Sequence, residues 1–544
     1  MRKHIFSGAA ILVVTLAVFA GCQSKPRLQS AKPADRPNIV YVLMDDLGYG
    51  DVDALNPLGK IKTPHLRRFA SEGMTFTEAH SSSAVGTPSR YNILTGRFSW
   101  RSKLKSGELG GFSKPLIEEN RLTVAQMLRD NGYRTAYIGE WHLGLDWART
   151  PGGALEAETD LGGDELAQTN RDATAAMGID FTKPIGRTPV ALGFDEFFGI
   201  SASLDIPPYT YIENDHVAAQ PTIRDGFLTG RDGKRTRLGP KAPGFNAEDV
   251  LPMFTKRAVE YIGRAAPAAR AGKPFFLYVA FPAPHTPISP SVEWLGKSGL
   301  NFYTDYVMEC DACIGEVLDA LKRNGLVKNT LVVFTSDNGC SPEADIPYLT
   351  AHGHDPSDGR RGYKGDIFDG GHRVPLMIRW PARVPRDSRN KDFVCLGDFM
   401  ATCADLLGVK LPDNAAEDSI TFLPQMLGKG PGARDTLVES SINGSFGIRQ
   451  GEWKLAFCAD SGGWSYPRPG RDKTNGLPRF QLFDVVADPA EKTNVLTKHP
   501  EIVQRLGHLM RDYIANGRST TGTPQENTTS GKDWPQTAWM GEFK

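Results

Sequence analysis

One stretch of the chain combines residue types that suit the binding of a charged group. Ser81 to Arg97 reads SSSAVGTPSRYNILTGR, which predicts a serine, glycine and proline loop followed by a helix. We expect Ser89 to cap a helix that includes Arg90 to Leu94. Backbone N–H groups at a helix start and a fixed arginine bind anions, so this stretch predicts an anion site. An ordinary loop that enters a helix is the alternative.

A pair of aspartates, Asp45 and Asp46, directly follows the apolar run NIVYVLM from Asn38 to Met44. This run is rich in β-branched and aliphatic residues, so it predicts a buried parallel strand. Functional residues of open α/β sheets lie at the carboxyl ends of such strands. Two adjacent carboxylates at a strand end could hold a hard cation through oxygen. The alternative is a solvated turn, since DDLGYGD is rich in turn residues.

Three further predicted strands also end in polar residues. Thr135 to Ile138 precedes GEWHLG, Phe275 to Phe281 precedes PAPHTP, and Thr330 to Thr335 precedes SDNG. These segments supply Glu140, His142, His285, Asp337 and Asn338, and a later loop supplies His354 and Lys364. Acidic oxygen donors beside histidine, lysine and arginine indicate a metal-assisted site for a tetrahedral anion.

A sheet has to bring these distant strand ends to one edge. Helical patterns separate the strands, over Leu122 to Asn131, Phe254 to Arg264 and Asn301 to Lys322. Strands that alternate with helices predict an α/β fold with a large, mostly parallel sheet sandwiched by helices. Phe480 to Val486 predicts a strand and Glu501 to Asn516 an amphipathic helix, which indicates a smaller C-terminal subdomain of antiparallel sheet plus helix.

Composition and the first residues restrict the partners and the location. The 544 residues include 63 basic and 63 acidic side chains, a balance that argues against nucleic-acid binding and a polybasic membrane surface. Residues 1–22 form a basic start, an apolar run and Ala20-Gly21-Cys22, which resembles a bacterial lipoprotein signal. We expect export to the periplasm or cell surface, with a lipid anchor at Cys22. Plain secretion stays open, because Phe19 departs from the usual aliphatic residue.

The chain resembles the type I sulfatases of the alkaline phosphatase superfamily, in particular bacterial arylsulfatases and polysaccharide sulfatases. The resemblance rests on NIVYVLMDDLGYGD, TPSRYNILTGR, GEWHLG, PAPHTP, FTSDNG and RGYKGDIFDGGHRVP, in the family's order. GIRQGEWKL and FQLFDVVADPAEKTNV are similar to the family's C-terminal subdomain. The resemblance implies calcium-dependent hydrolysis of sulfate esters on sulfated glycans or aryl sulfates.

The resemblance also implies a role for each matching residue. Calcium would be bound by Asp45, Asp46, Asp337 and Asn338. Arg90 would steady the nucleophile and the metal site. Sulfate oxygens or the proton of the leaving alcohol would be handled by His142, His285 and Lys364, and His354 could contact the substrate. The family's nucleophile is formylglycine, made from a cysteine or serine two positions before Pro88.

Two residues depart from the family at this centre. Gly86 occupies the formylglycine position, and glycine has no side-chain carbon to oxidise. Glu140 replaces a lysine in the segment GKWHLG, which turns attraction for sulfate into repulsion. Two unit charges about 4 Å apart at an effective dielectric of about 20 interact by roughly 4 kcal/mol. Glu140 could instead pair with Arg90 or Lys364.

Three functions remain open from the sequence. The first is a sulfatase-family enzyme, and the second is a non-catalytic homologue that binds a cation and an anionic glycan. The third is a phosphoesterase that uses Thr87 or a metal-bound water. The residues favour a chain that is inactive or strongly impaired. The expected divisions are a signal (1–22), a tether (23–36), a sulfatase-like α/β domain (37–435), a C-terminal subdomain (436–520) and a tail (521–544).

Overall fold

The computed structural model describes Met1 and residues 36–151, 178–230, 234–528 and 533–543. The predicted signal beyond Met1, the anchor at Cys22, most of the tether and part of the tail lie outside the described residues. The divisions of the chain therefore stay a prediction. None of the described helices has both the length and the apolar character that crossing a membrane requires.

The described strands and α-helices alternate along most of the chain. The strands are β1 Asn38–Asp45, β2 Met74–Phe76, β3 Ala79–His80, β4 Arg134–Glu140, β5 Glu196–Ile200, β6 Ile212–Glu213, β7 His216–Val217, β8 Ile223–Asp225, β9 Leu228–Thr229, β10 Lys234–Arg235, β11 Gly239–Lys241, β12 Phe275–Pro284, β13 Thr330–Ser336, β14 Leu376–Arg379, β15 Ser388–Asn390, β16 Val394–Cys395, β17 Thr436–Ser440, β18 Phe446–Gln450, β19 Trp453–Ala456 and β20 Gln481–Asp484. The helices are α1 Pro64–Ser71, α2 Gly86–Thr95, α3 Val124–Asp130, α4 Val250–Arg270, α5 Phe302–Arg323, α6 Ile346–Ala351, α7 Asp369–His372, α8 Asp398–Leu407, α9 Leu423–Met426 and α10 Pro500–Ala515.

A ten-stranded mixed sheet forms the centre of the molecule, in the order β15-β2-β14-β13-β1-β12-β4-β5-β6-β7. The five strands from β13 to β5 run parallel, and β14 and β6 flank them in the antiparallel sense. All eight residues of β1 are buried, because the strand has neighbours on both sides and helices on both faces. The predicted parallel sheet is confirmed, and its five parallel carboxyl ends meet at one edge.

The two faces of the sheet are covered by different helices. Tyr41 and Leu43 of β1 belong to the same buried cluster as residues of α2, α3 and α8. Val40 and Val42, which alternate with them, belong to the cluster formed with α1, α4 and α5. This alternation follows from the pleat of a strand, which points successive side chains to opposite faces. The predicted sandwich of helices around the sheet is therefore confirmed.

The C-terminal part forms a separate antiparallel sheet in the order β17-β18-β19-β20, with α10 packed against β18 and β19. This confirms the predicted small sheet plus helix. One local expectation is wrong: α2 begins at Gly86, and Ser89 lies inside the helix without capping it. The Ser89 hydroxyl donates instead to the main-chain oxygen of Ser83, at 3.0 Å.

Candidate active site

The carboxyl ends of the parallel strands converge on Arg90 of α2. Its Nη2 lies 2.9 Å from Oδ2 of Asp45, the last residue of β1. Its Nε donates to Oδ2 of Asp337, directly after β13, at 3.1 Å. Arg90 is 1 % exposed, so the guanidinium and these carboxylates form a buried ionic centre. The structure thus brings together three residues that lie far apart in sequence.

Glu140, the last residue of β4, also turns towards this arginine. Its Oε1 lies 3.3 Å from Arg90 Nη2 and 3.2 Å from His142 Nδ1. The expected alternative of an Arg90–Glu140 pair is therefore confirmed. Arg90 and His142 lower the pKa of Glu140 although burial alone raises it, so the carboxylate stays ionised.

A second group of ligating atoms surrounds Asp46. Oxygen or nitrogen atoms of Asp45, Asp46 and His285 lie within 4.8 Å of one another, close enough to share a metal ion. Asn338 Nδ2 donates to Asp46 Oδ1 at 2.7 Å, and Lys364 Nζ lies 2.9 Å from the same oxygen. Asp337 Oδ1 accepts the main-chain N–H of Asp46 at 3.3 Å. All four predicted cation ligands therefore meet at one place.

The residues fit a divalent cation. Asn338 Oδ1 is buried and has no hydrogen-bond partner among the described residues, which leaves one acceptor free to ligate. Carboxylate and amide oxygens are the donors that hard cations prefer. Burial and the neighbouring charges of Asp337 and Glu140 raise the pKa of Asp45, and the charge of Arg90 offsets them only in part.

Two residues of this centre have strained backbones. Asp46 has a φ of 66° and His142 a φ of 55°, the left-handed region that non-glycine residues seldom adopt. Such strain is typical of functional sites, because the surrounding fold has to hold it in place. Here it turns both side chains away from their strands and into the pocket at the sheet edge.

A sequence model of the sulfatase family matches residues 37–409. The chain belongs to the sulfatase family. It is 32 % identical over 540 residues to an N-acetylgalactosamine-6-O-sulfatase of Bacteroides thetaiotaomicron, which covers 92 % of this chain and 97 % of that protein. This membership places the convergent strand ends in the context of sulfate-ester chemistry.

Solved structures agree with this membership. A Bacteroides thetaiotaomicron sulfatase from work on glycosaminoglycan metabolism superposes with a TM-score of 0.73 and 31 % identity, over 88 % of this chain and 99 % of that one. A structure in complex with its substrate D-glucosamine-2-N,6-O-disulfate superposes with a TM-score of 0.53 and 19 % identity, over 90 % of this chain and 100 % of that one. The second likeness concerns the fold alone.

The position of the family's nucleophile is occupied by Gly86. Gly86 is the first residue of α2, and a Cβ built there would lie 2.9 Å from Asp337 Oδ2 and 3.5 Å from Arg90 Nε. Its backbone is not in the left-handed region, so the helix does not demand glycine at this position. Without a side-chain carbon no formylglycine can form here, and a cysteine at this position needs only a small shift of the end of the Asp337 side chain.

Thr87 does not offer a replacement nucleophile. Its hydroxyl donates to the main-chain oxygen of His142 at 3.0 Å and accepts the Leu109 N–H at 3.3 Å. The residue is fully buried. Because the hydroxyl both donates to and accepts from main-chain groups, it is held as a structural link between α2 and its neighbours.

The two histidines of the site differ in what they can contact. His142 Nε2 donates to the Leu109 main-chain oxygen at 2.8 Å, and Nδ1 faces Glu140 and the Ser203 hydroxyl. Burial lowers its pKa, but Glu140 and Glu108 outweigh burial and raise it. Both nitrogens of His142 are therefore occupied. His285 keeps Nε2 turned to the cation group, 3.6 Å from Asp46 Oδ2.

His354, expected to contact substrate, has a different place. Its Nε2 lies 2.8 Å from Asp51 Oδ1, and its Nδ1 accepts the main-chain N–H of Lys60 at 3.1 Å. The Tyr303 hydroxyl donates to Asp51 and lies 3.3 Å from the main-chain oxygen of Asp46. The histidine is buried with both nitrogens used, so it supports the loop behind the site and does not line it.

The sequence reasoning missed one residue of the pocket, Glu108. Its Oε1 accepts the main-chain N–H of Thr87 at 3.2 Å and lies 3.4 Å from a Cβ built at Gly86. Glu108 belongs to the loop segment SKLKSGELGG, which carries no strand end and no catalytic motif. Its only sequence signal is a lone acidic residue between glycines, which does not reveal where the side chain points.

Proposed function

We propose that this chain is a sulfatase-family protein that holds a divalent cation, calcium by preference, and hydrolyses sulfate esters poorly or not at all. The observation that carries the proposal is Gly86, at the nucleophile position of an otherwise assembled centre. The predicted cation ligands are all present beside it, and so are Arg90, His285 and Lys364. A sulfatase scaffold without its nucleophile can still bind ligands, but it cannot react through a covalent intermediate.

The remaining charges support the loss of turnover. Five carboxylates meet at this centre, those of Asp45, Asp46, Glu108, Glu140 and Asp337. Arg90 and Lys364 offset two of them, and a divalent cation would offset two more. When bound, the cation would supply positive charge for an ester oxygen. The positive groups of the centre are then already matched by carboxylates, so a sulfate group gains little electrostatic attraction there.

Glu140 also occupies two groups that could otherwise act on a substrate. It holds Arg90 from one side and His142 from the other, at 3.3 and 3.2 Å. An arginine paired with three carboxylates has little positive charge left for a substrate anion. A histidine with both nitrogens bonded to the protein cannot pass a proton to a leaving alcohol without first breaking those bonds.

We propose sulfated glycans, with aryl sulfates as simpler analogues, as the ligand class. The names of the bacterial relatives support this choice. A cleft of about 400 Å³ that includes Thr286, next to His285, offers room for a sugar unit and is lined partly by Phe302 and Tyr348. Aromatic faces of this kind pack against sugar rings through their apolar surface.

Restoration of the two altered residues tests the proposal. The double variant Gly86→Cys, Glu140→Lys, produced with a formylglycine-generating enzyme, should release sulfate from an aryl sulfate at least a thousandfold faster than the unaltered chain. The matched control Gly86→Ala, Glu140→Lys has the same charge but no oxidisable thiol. Intact-mass measurement shows whether the thiol became an aldehyde. An unaltered chain that already works at an ordinary enzymatic rate contradicts the proposal.

Phosphate esters provide a separate check on the third function considered from the sequence. The unaltered chain should not release phosphate from an aryl phosphate, because the Thr87 hydroxyl is already bonded to the main chain. Phosphate release that disappears in Thr87→Ala and persists in Thr87→Ser would show that this hydroxyl is the nucleophile after all.

Export and lipid attachment at Cys22 remain part of the proposal and rest on the residue pattern alone. Cell fractionation with the Cys22→Ser variant checks them. The unaltered chain should be found with the membranes through its lipid, and the variant should lose the lipid label. A chain without any lipid label indicates plain secretion.

A further inference from the structure

A carboxylate of the protein lies beside Gly86, the position that the family resemblance assigns to the nucleophile. Glu108 Oε1 accepts the N–H of Thr87, in the first turn of the ten-residue helix α2, at 3.2 Å. The same oxygen is 3.4 Å from a Cβ built at Gly86, and the family's nucleophile would attack from this position. The first turn of a helix presents free N–H groups and the positive end of its dipole, which favour an anion.

The charged groups around Glu108 are those that the family resemblance assigns to sulfate. Burial alone would raise the pKa of Glu108, yet the charges of Lys364, His142 and His285, together with the Thr87 N–H, lower it. The lysine and both histidines of the site therefore act on this carboxylate with favourable charge. A negative group is stable there without an external ligand.

We infer that Glu108 is a built-in substitute for the sulfate group: its carboxylate occupies the oxyanion position and excludes external anions until it moves away. The inference rests on the proposed function, because it concerns the same pocket, and it adds what fills that pocket. A carboxylate and a sulfate both present oxygens to N–H donors, so one can replace the other.

The main chain on both sides of Glu108 is fixed, so only its side chain can leave. The Gly107 N–H donates to the main-chain oxygen of Ile442 at 2.7 Å. The Leu109 N–H donates to the Thr87 hydroxyl at 3.3 Å, and Leu109 is fully buried. Glu108 itself is half-buried, which leaves its side chain a route to solvent by rotation. A ligand that enters the pocket has to displace the Glu108 side chain and break its hydrogen bond, and both changes weaken the affinity for that ligand.

Titration calorimetry with inorganic sulfate tests the inference on the full chain after loading with calcium. Glu108→Gln removes the charge with little change of shape, and Glu108→Ala also removes the volume. Both variants should bind sulfate at least tenfold more tightly than the unaltered chain. The matched control is Glu119→Gln, which removes the same charge from an exposed residue nearby and should leave sulfate binding unchanged.

Equal sulfate affinity in the unaltered chain, Glu108→Gln and Glu108→Ala would overturn the inference, whether all bind or none does. A gain of the same size in Glu119→Gln would also overturn it, because the effect would then come from net charge. Unfolding temperatures show that the variants are folded. The readout is binding and not turnover, so sulfate-ester hydrolysis by the unaltered chain would contradict the proposed function without deciding the place of Glu108.

Discussion

Two of the buried ionic clusters among the described residues are built differently. The first is the acid-rich centre around Arg90, described above. The second joins β3 and α7 to the C-terminal sheet, where His80 Nδ1 lies 3.0 Å from Glu439 Oε1 and 3.6 Å from Asp369 Oδ1. Lys454 Nζ lies 2.9 Å from Glu439 Oε2 and 3.3 Å from Glu491 Oε1.

The second cluster is close to charge balance within the protein. Its carboxylates, Glu78, Asp369, Glu439 and Glu491, face Lys454, Arg373 and Arg449 together with His80. His80, Asp369 and Glu439 are also placed so that they could share a metal ion. The lysine and arginines already supply the positive charge, however, so we assign this cluster to the packing of the C-terminal sheet against β3 and α7. The acid-rich centre lacks that balance, and this difference is the argument for a cation there.

The largest expected effect is a different response to calcium when Lys364 of the acid-rich centre or Lys454 of the balanced cluster is replaced. Lys364→Met and Lys454→Met each remove a buried ammonium from carboxylates, which typically costs about 3–5 kcal/mol of unfolding free energy. Calcium should restore most of the loss in Lys364→Met, because the ion can take over the charge beside Asp46. It should restore none in Lys454→Met. Denaturant unfolding with calcium or with a chelator measures both.

An exposed pair provides the control for this comparison. Arg264 and Glu196 are 2.7 Å apart with side chains 55 % and 42 % exposed. Arg264→Met should change the unfolding free energy by about 1 kcal/mol or less. Equal calcium rescue of the two buried-lysine variants would mean that the clusters do not differ in the way proposed.

Calcium should stabilise the unaltered chain through the acid-rich centre. At a free concentration one hundred times the dissociation constant, binding to the folded state alone adds about 2.7 kcal/mol. Asp46→Asn should abolish most of this gain, because Asp46 contacts Lys364 and Asn338 at the middle of the ligand set. Thermal unfolding in calcium and in chelator measures the effect, and a gain that survives in Asp46→Asn would place the ion elsewhere.

The balanced cluster should make stability depend on pH. Burial, with the charges of Asp369 and Glu439, raises the pKa of Glu491 from 4.5 to about 7 against the influence of Lys454. The folded state then binds this proton more tightly than the unfolded chain, so this contribution to stability is lost as pH rises from about 4.5 to 7. His80 acts in the same direction: burial lowers its pKa, but Asp369, Glu439 and Glu78 raise it overall.

Unfolding free energies of the unaltered chain and Glu491→Gln between pH 5 and 8 check this smaller effect. The unaltered chain should lose on the order of 1–3 kcal/mol more than the variant as pH rises, since one pKa unit is about 1.36 kcal/mol. Parallel pH curves for the two proteins would show that Glu491 does not titrate in this range.

Strand ends were predictable from the sequence because an apolar run followed by polar residues has one simple explanation in an α/β sheet. The strand-end pattern therefore predicts that Asp45 and Asp337 lie together, and the resemblance to the sulfatases adds Arg90 to them. His354 and Glu108 show the limit of this reasoning. Both lie on loops, where the direction of a side chain depends on tertiary contacts that no local pattern encodes. The helix start at Gly86 was missed because Pro88 and Ser89 looked like the boundary.

The central claim is that this centre keeps its cation and has lost its turnover. One preparation of the unaltered chain, saturated with calcium and freed of excess ion, tests both parts. Metal analysis should give one calcium per chain, and sulfated glycosaminoglycan oligosaccharides should release no sulfate above a matched Asp46→Asn sample. Release at an ordinary enzymatic rate, or a chain that binds no calcium at all, would contradict the account.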